Sequence, residues 1–198
     1  MAARIPGRRR VAVLVSGGGT NMAALIAAGQ AADAPFEVVL VISNVPDAGG
    51  LAIAEAAGVT ALAIDHRPYG KNRAAHEQAV DAMLNEHRVE MIALAGYMRL
   101  LTPWLVSRWA GRMLNIHPSL LPLYPGLDTH ARALAAGDTE AGCTVHIVTE
   151  GVDEGPVLGQ ARLAVRDDDT PATLAERVKI AEHELYPQIL STYCRNLH

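Results

Sequence analysis

Four short runs of nearly unbroken apolar residues, spaced by Ala-rich stretches of helical length, constrain this chain more than any other feature. They are "VAVLV" (11–15), "FEVVLVIS" (36–43), "TALAI" (60–64) and "MIALAG" (91–96). A strand with one wet face alternates apolar and polar residues. These runs do not alternate, so both of their faces are expected to be covered, as in a parallel sheet between helices. A fifth run, "RMLNI" (112–116), follows the same rhythm, with helices expected over 20–30, 48–57, 72–87 and 103–110. This β-α alternation predicts a doubly wound, mostly parallel α/β sheet of Rossmann-like type.

The rhythm changes after Gly142. "CTVHIVTEGVDEGPVLGQARLAV" holds two strand-like runs around a Gly/Asp/Pro turn, which predicts a hairpin-like antiparallel addition. The last element opens with Thr170 as N-cap and Pro171 at the first helical position. Leu174, Val178, Ala181, Leu185 and Ile189 then recur at helical spacing, giving a long amphipathic C-terminal helix. Pro187 inside it is expected to kink or reset the last turns. With no repeat, low-complexity tract or linker, a single domain over 1–198 is expected, its first ten or so residues a flexible basic terminus with a solvated Arg cluster.

Composition narrows the class. Of 198 residues 50% are hydrophobic and 19% charged, which excludes a disordered chain, and a net charge of −4 argues against nucleic-acid binding. Cys143 and Cys194 have no CxxC spacing and read as free thiols in a reducing compartment. The apolar run after the basic start, Val11–Val15, is too short for a secretory signal or a membrane span. The expected location is cytoplasmic, without membrane partners.

Two motifs carry chemistry. In "VLVSGGGTNMAALI" a buried strand runs into Gly17-Gly18-Gly19, then Thr20 and Asn21, and a helix follows. Glycines expose backbone N–H groups and the helix start adds partial positive charge, so the turn suits a phosphate. It is neither the dinucleotide fingerprint nor a P-loop, and the plain alternative is a tight turn capped by Thr20 or Asn21. In "LNIHPSLLPLYPG" (114–126), Asn115 and His117 stand two apart on an extended segment, hence on one face. His117 lacks a metal-motif partner, and Ser119 lacks a nucleophile elbow. What remains is acid–base or oxyanion chemistry, with an amide N–H and an imidazolium as donors. A carboxylate beside His117 would hold it protonated. "TEGVDEGPV" offers Glu150, Asp153 and Glu154, which local chemistry does not rank.

Read in order, "SGGGTN", "LAGYMRLL", "NIHPSLLPLYPG", "VDEGPV" and "EHELYP" resemble the formyl-folate-dependent formyltransferases, and among them the phosphoribosylglycinamide formyltransferases, from about Val11 to Pro187. The resemblance implies formyl transfer from 10-formyltetrahydrofolate to the amine of glycinamide ribonucleotide in purine synthesis, with no metal. It implies a catalytic trio of Asn115, His117 and Asp153. It places the substrate phosphate on Gly19, Thr20 and Asn21, although Gly18 stands where the family often has Asn and Thr20 where Ser is common. Glu182 would contact the ribose. Met98, Arg99, Leu100 and Leu101 would line the folate pocket, with Val148, Glu150, Gly151 and Val152 as its other wall and Arg73 near the glutamate tail. Formyltetrahydrofolate hydrolases and methionyl-tRNA formyltransferases share the core but carry an additional domain, which this chain is not expected to have. A non-catalytic nucleotide-binding module is the rival of another class. The partners expected are the two small molecules, and exposed Leu, Met and Trp residues leave room for a homodimer.

Overall fold

The computed structural model describes residues 7–197. The strands are β1 (Arg9–Val15), β2 (Phe36–Ser43), β3 (Thr60–Ala63), β4 (Met91–Leu94), β5 (Met113–His117), β6 (Glu140–Ile147) and β7 (Val157–Ala164). The helices are α1 (Thr20–Gly29), α2 (Gly49–Ala56), α3 (Arg73–Glu86), α4 (Pro103–Arg108), α5 (Thr129–Ala136) and α6 (Pro171–Asn196). One seven-stranded sheet runs in the order β3-β2-β1-β4-β5-β6-β7. The pairs from β3 through β5 are parallel, whereas β5–β6 and β6–β7 are antiparallel.

Alternate residues of β1 feed two separate cores, which explains why its sequence is apolar throughout. Val11, Val13 and Val15 pack with Met22, Leu25 and Ile26 of α1 and with Leu174, Val178 and Tyr186 of α6. Ala12 and Leu14 point the other way, into a cluster with Leu40, Val80, Leu84, Leu105 and Trp109. Helices therefore cover both faces, and the strand order reverses between β1 and β4. Ligands of open α/β sheets bind beside such a reversal, outside the carboxyl ends of the strands.

Two features depart from expectation. α5 was not anticipated: Asp128, a residue type favoured at N-caps, does precede it, but its φ is +58° and its side chain makes no cap bond. The Arg cluster is not solvated. Arg8 donates to the carbonyls of Gly29, Ala31 and Ala32 behind α1, and buried Arg10 pairs with Glu37 at 3.1 Å. The remainder of the expected flexible terminus, residues 1–6, lies outside the described residues. The Thr170 capping box and Pro171 start α6 as expected, and the helix runs to Asn196 with Pro187 inside it. Among the described residues no helix is long and apolar enough to cross a membrane.

Candidate active site

β5 carries Asn115 and His117 to the carboxyl edge of the sheet, where β6 pairs with it in reverse. That register sets His146 directly opposite Asn115 and Thr144 opposite His117. His117 and His146 are only 5% and 3% exposed. The segment after β6 then turns back over them. It closes at Gly155, where a Cβ would lie 1.7 Å from the Ile147 carbonyl oxygen, so no other residue fits. Just before it, Asp153 has φ +56°, a left-handed conformation that Asp tolerates better than bulkier residues.

The Asp153 carboxylate is the hub. Its Oδ2 is 3.3 Å from His117 Nδ1 and accepts the Gly126 N–H at 2.9 Å. Its Oδ1 lies 3.5 Å from Asn115 Nδ2 and 3.6 Å from His146 Nε2. Burial pushes the Asp153 carboxyl up, but the His146 contact, the Gly126 N–H and the charge of the two rings when protonated outweigh it. The carboxyl is therefore held below its ordinary value.

His117 faces acceptors on both nitrogens, since its Nε2 is 2.9 Å from the Tyr124 carbonyl oxygen. Both contacts are hydrogen bonds only when the ring carries two protons. The Tyr124 segment is itself pinned, because Ser119 Oγ donates to Leu123 O at 2.6 Å and the Tyr124 hydroxyl donates to Asp138 at 2.7 Å. His146 is different. Its Nδ1 lies 3.0 Å from the Ile147 carbonyl and must carry a proton to bond it, while Nε2 stands between Asn115 Nδ2 at 3.2 Å and the Asp153 carboxylate. Nε2 accepts the Asn115 N–H when the ring is neutral and donates toward Asp153 when the ring is protonated. No motif marks His146: in "CTVHIV" it is one of two polar residues in an apolar run, and only strand register pairs it with Asn115.

At the end of β1, the glycine turn enters α1 with Gly19 at φ +71° and no side-chain cap, so neither Thr20 nor Asn21 caps the helix. The first-turn N–H groups have no side-chain acceptor there, as an anion cradle requires. The turn is buttressed from below: Gly50 N–H donates to Gly17 O at 3.0 Å, and a Cβ on Gly19 would come within 2.8 Å of Gly50 Cα. Glu182 reaches the same place from α6, accepting a 2.7 Å bond from Asn21 Nδ2. Burial raises the Glu182 carboxyl pKa, against the Asn21 bond and the Lys179 charge. The buried Asn21 Oδ1 has no partner.

The remaining expected residues lie on neighbouring loops. Met98 and Leu100 are 70% and 62% exposed after β4, Arg99 is half-buried, and Arg73 donates to Leu100 O at 3.1 Å. Leu101 and Val148 each pack against the cluster that contains Leu105 and Trp109. Glu150 and Val152 are exposed on that second loop and Gly151 is half-buried.

Known proteins resemble this chain over most of its length. The family described as formyl transferase matches residues 9–190. The phosphoribosylglycinamide formyltransferase of Haemophilus influenzae is 40% identical over 93% of this chain and 87% of its own. The trifunctional purine biosynthetic protein adenosine-3 of Bos taurus is 46% identical over 93% of this chain, which spans only 18% of that protein. A crystal structure of phosphoribosylglycinamide formyltransferase from Brucella melitensis, 52% identical, superposes with a TM-score of 0.91 over 96% of this chain and 98% of that one. A match over nearly the whole length, in sequence and in fold, means that this chain belongs to the formyl transferase family.

Proposed function

We propose that the chain transfers the formyl group of 10-formyltetrahydrofolate to the primary amine of glycinamide ribonucleotide, the acceptor that its relatives' names describe. The observation that carries this reading is the convergence of Asn115, His117, His146 and Asp153 at the end of β5. That cluster offers two kinds of N–H donor and a carboxylate in one half-buried place.

The amine nitrogen attacks the formyl carbon, and the carbonyl π electrons move onto oxygen. The resulting oxyanion needs donors. Asn115 has one N–H on His146, and its second, only loosely held by Asp153 at 3.5 Å, turns to the oxyanion. His117 keeps Nδ1–H on Asp153. Its Nε2–H leaves the neutral Tyr124 carbonyl for the oxyanion, because a charged acceptor makes the stronger bond. The new ammonium passes a proton to the folate N10, with Asp153 and a water as relay. The C–N10 bond then breaks and the oxygen electrons restore the carbonyl.

Gly19, Thr20 and Asn21 hold the phosphate by backbone N–H groups, and Glu182 takes the ribose hydroxyls. The folate ring lies between Met98–Leu101 and the 148–152 loop, with Arg73 at the outer end. The test is formyl-folate consumption with and without glycinamide ribonucleotide. Turnover that requires the acceptor supports the reading; equal turnover without it marks a hydrolase, and none at all leaves a binding module.

A further inference from the structure

Ser16 is the residue at which the chain leaves β1, at the reversal of strand order, and it is tied to both neighbouring loops. Its backbone N–H donates to Gly96 O at 3.1 Å. Its hydroxyl accepts the Met98 N–H at 2.8 Å and donates to Asn44 Oδ1 at 2.5 Å. A hydroxyl has one proton, so the chain of bonds has a single polarity, from the Met98 amide through Ser16 to the Asn44 carbonyl, and each link polarises the next. The far end is firm. Asn44 is 3% exposed, and its backbone carbonyl lies 2.8 Å from His66 Nδ1. The connection that begins at Asn44 goes on to place Gly50 beneath Gly17 and Gly19. By contrast, Met98 is 70% exposed, so the bond to Ser16 is a principal restraint on it.

We infer that Ser16 is a positioning residue that couples the two substrate subsites, the glycine turn for the phosphate and the Met98–Leu101 segment for the folate. The inference rests on the reading of those subsites given above. A phosphate on the N–H groups after Gly17 fixes the backbone at Ser16, and this holds the hydroxyl against Asn44 and keeps the Met98 amide in place. The folate then meets a segment already ordered, and the entropy of ordering is not lost a second time. By linkage the folate must tighten the nucleotide by the same factor.

The test measures the affinity of 5,8-dideazafolate, which has no formyl group and cannot turn over, with and without saturating glycinamide ribonucleotide. The wild-type protein is expected to bind it at least about fivefold more tightly with the nucleotide, at the low end of ordinary coupling. Ser16→Ala, shown by its melting curve to be folded, is expected to bring that ratio to within about twofold of unity, and Ser16→Thr, which keeps the hydroxyl, to restore it. If Ser16→Ala does not fold, Ser16→Cys, similar in shape but a weaker hydrogen-bonder, is expected to lower the ratio in the same direction. A wild-type ratio near one, or a wild-type ratio retained without the hydroxyl, overturns the inference. Either result beside normal formyl transfer by the wild-type protein leaves the proposed function standing; absent transfer and absent binding of both ligands remove the two together.

Discussion

Asp153 has four neighbours to hold, which makes it the most exposed point of the proposed chemistry to mutation. Asp153→Asn keeps the size but removes the charge that fixes His117 and the proton acceptor for the relay. It is expected to lose at least about 10²-fold in turnover while still binding glycinamide ribonucleotide, as for the loss of one oxyanion donor. A steady-state assay with a binding measurement checks this, and activity within tenfold of wild type contradicts the assignment. His146→Ala removes the acceptor that orients the Asn115 amide, and leaves that amide free to pair with Asp153 instead. Turnover is expected to fall about 10–100-fold with little change in nucleotide affinity, the range typical of supporting residues around an active group. An unchanged kcat shows that Asn115 needs no such support.

Glu182 yields a prediction of opposite sign for stability and function. Its folded carboxyl holds its proton more tightly than the ordinary value of 4.5, because burial disfavours the charge. Between the unfolded and folded values the native state binds more protons, so stability declines as pH rises through that window and stays lower above it. Glu182→Gln has no charge to bury. It is expected to melt higher than wild type at pH 7, with the difference shrinking as pH falls toward the ordinary carboxylate range, and to bind the nucleotide more weakly. Melting curves between pH 4 and 8 check the sign, and a lower melting temperature at pH 7 refutes it.

At the scale of elements, α6 joins the two halves of the site. Glu182 meets α1 from one turn, and one turn later the fully buried Tyr186 hydroxyl lies 3.2 Å from Leu94 O and 3.1 Å from Leu114 O. Those carbonyls end β4 and immediately precede Asn115 on β5. Tyr186→Phe leaves them without that donor and is expected to cost about 1–3 kcal/mol of stability. Denaturant unfolding reads this out, and a loss under a few tenths of a kcal/mol shows that the hydroxyl is not a tether. α1 depends on its glycine entry in a comparable way. Thr20 and Asn21 were legible as a helix start beside a glycine turn. That their side chains do not cap it, and that Gly50 supports it from another connection, was not legible, because the buttress lies thirty residues along the chain.

The two proposed ligand subsites lie along one sheet edge, so on that reading binding and folding are linked. Glycinamide ribonucleotide at a hundred times its dissociation constant is expected to add about 2.7 kcal/mol to stability. For a chain of this size that raises the melting temperature by roughly 5–11 °C, at about 2–4 °C per kcal/mol. Asp153→Asn is expected to show a similar shift, since it loses chemistry rather than binding. A wild-type protein whose melting point does not move with the nucleotide contradicts the proposed subsite.

What the chain's own order determined is the layered sheet and the pair at its heart. Apolar runs without alternation required helices on both faces, and the i, i+2 spacing of Asn115 and His117 required a common face, because both rules are local and follow from backbone geometry. The family resemblance singled out Asp153 among three carboxylates. The tertiary structure alone decided that β6 runs against β5, so that His146 stands opposite Asn115. It also decided that the Tyr124 carbonyl occupies the second nitrogen of His117, and that Ser16 spans two loops. These contacts join residues 7 to 82 positions apart through register and loop path, which no local pattern encodes.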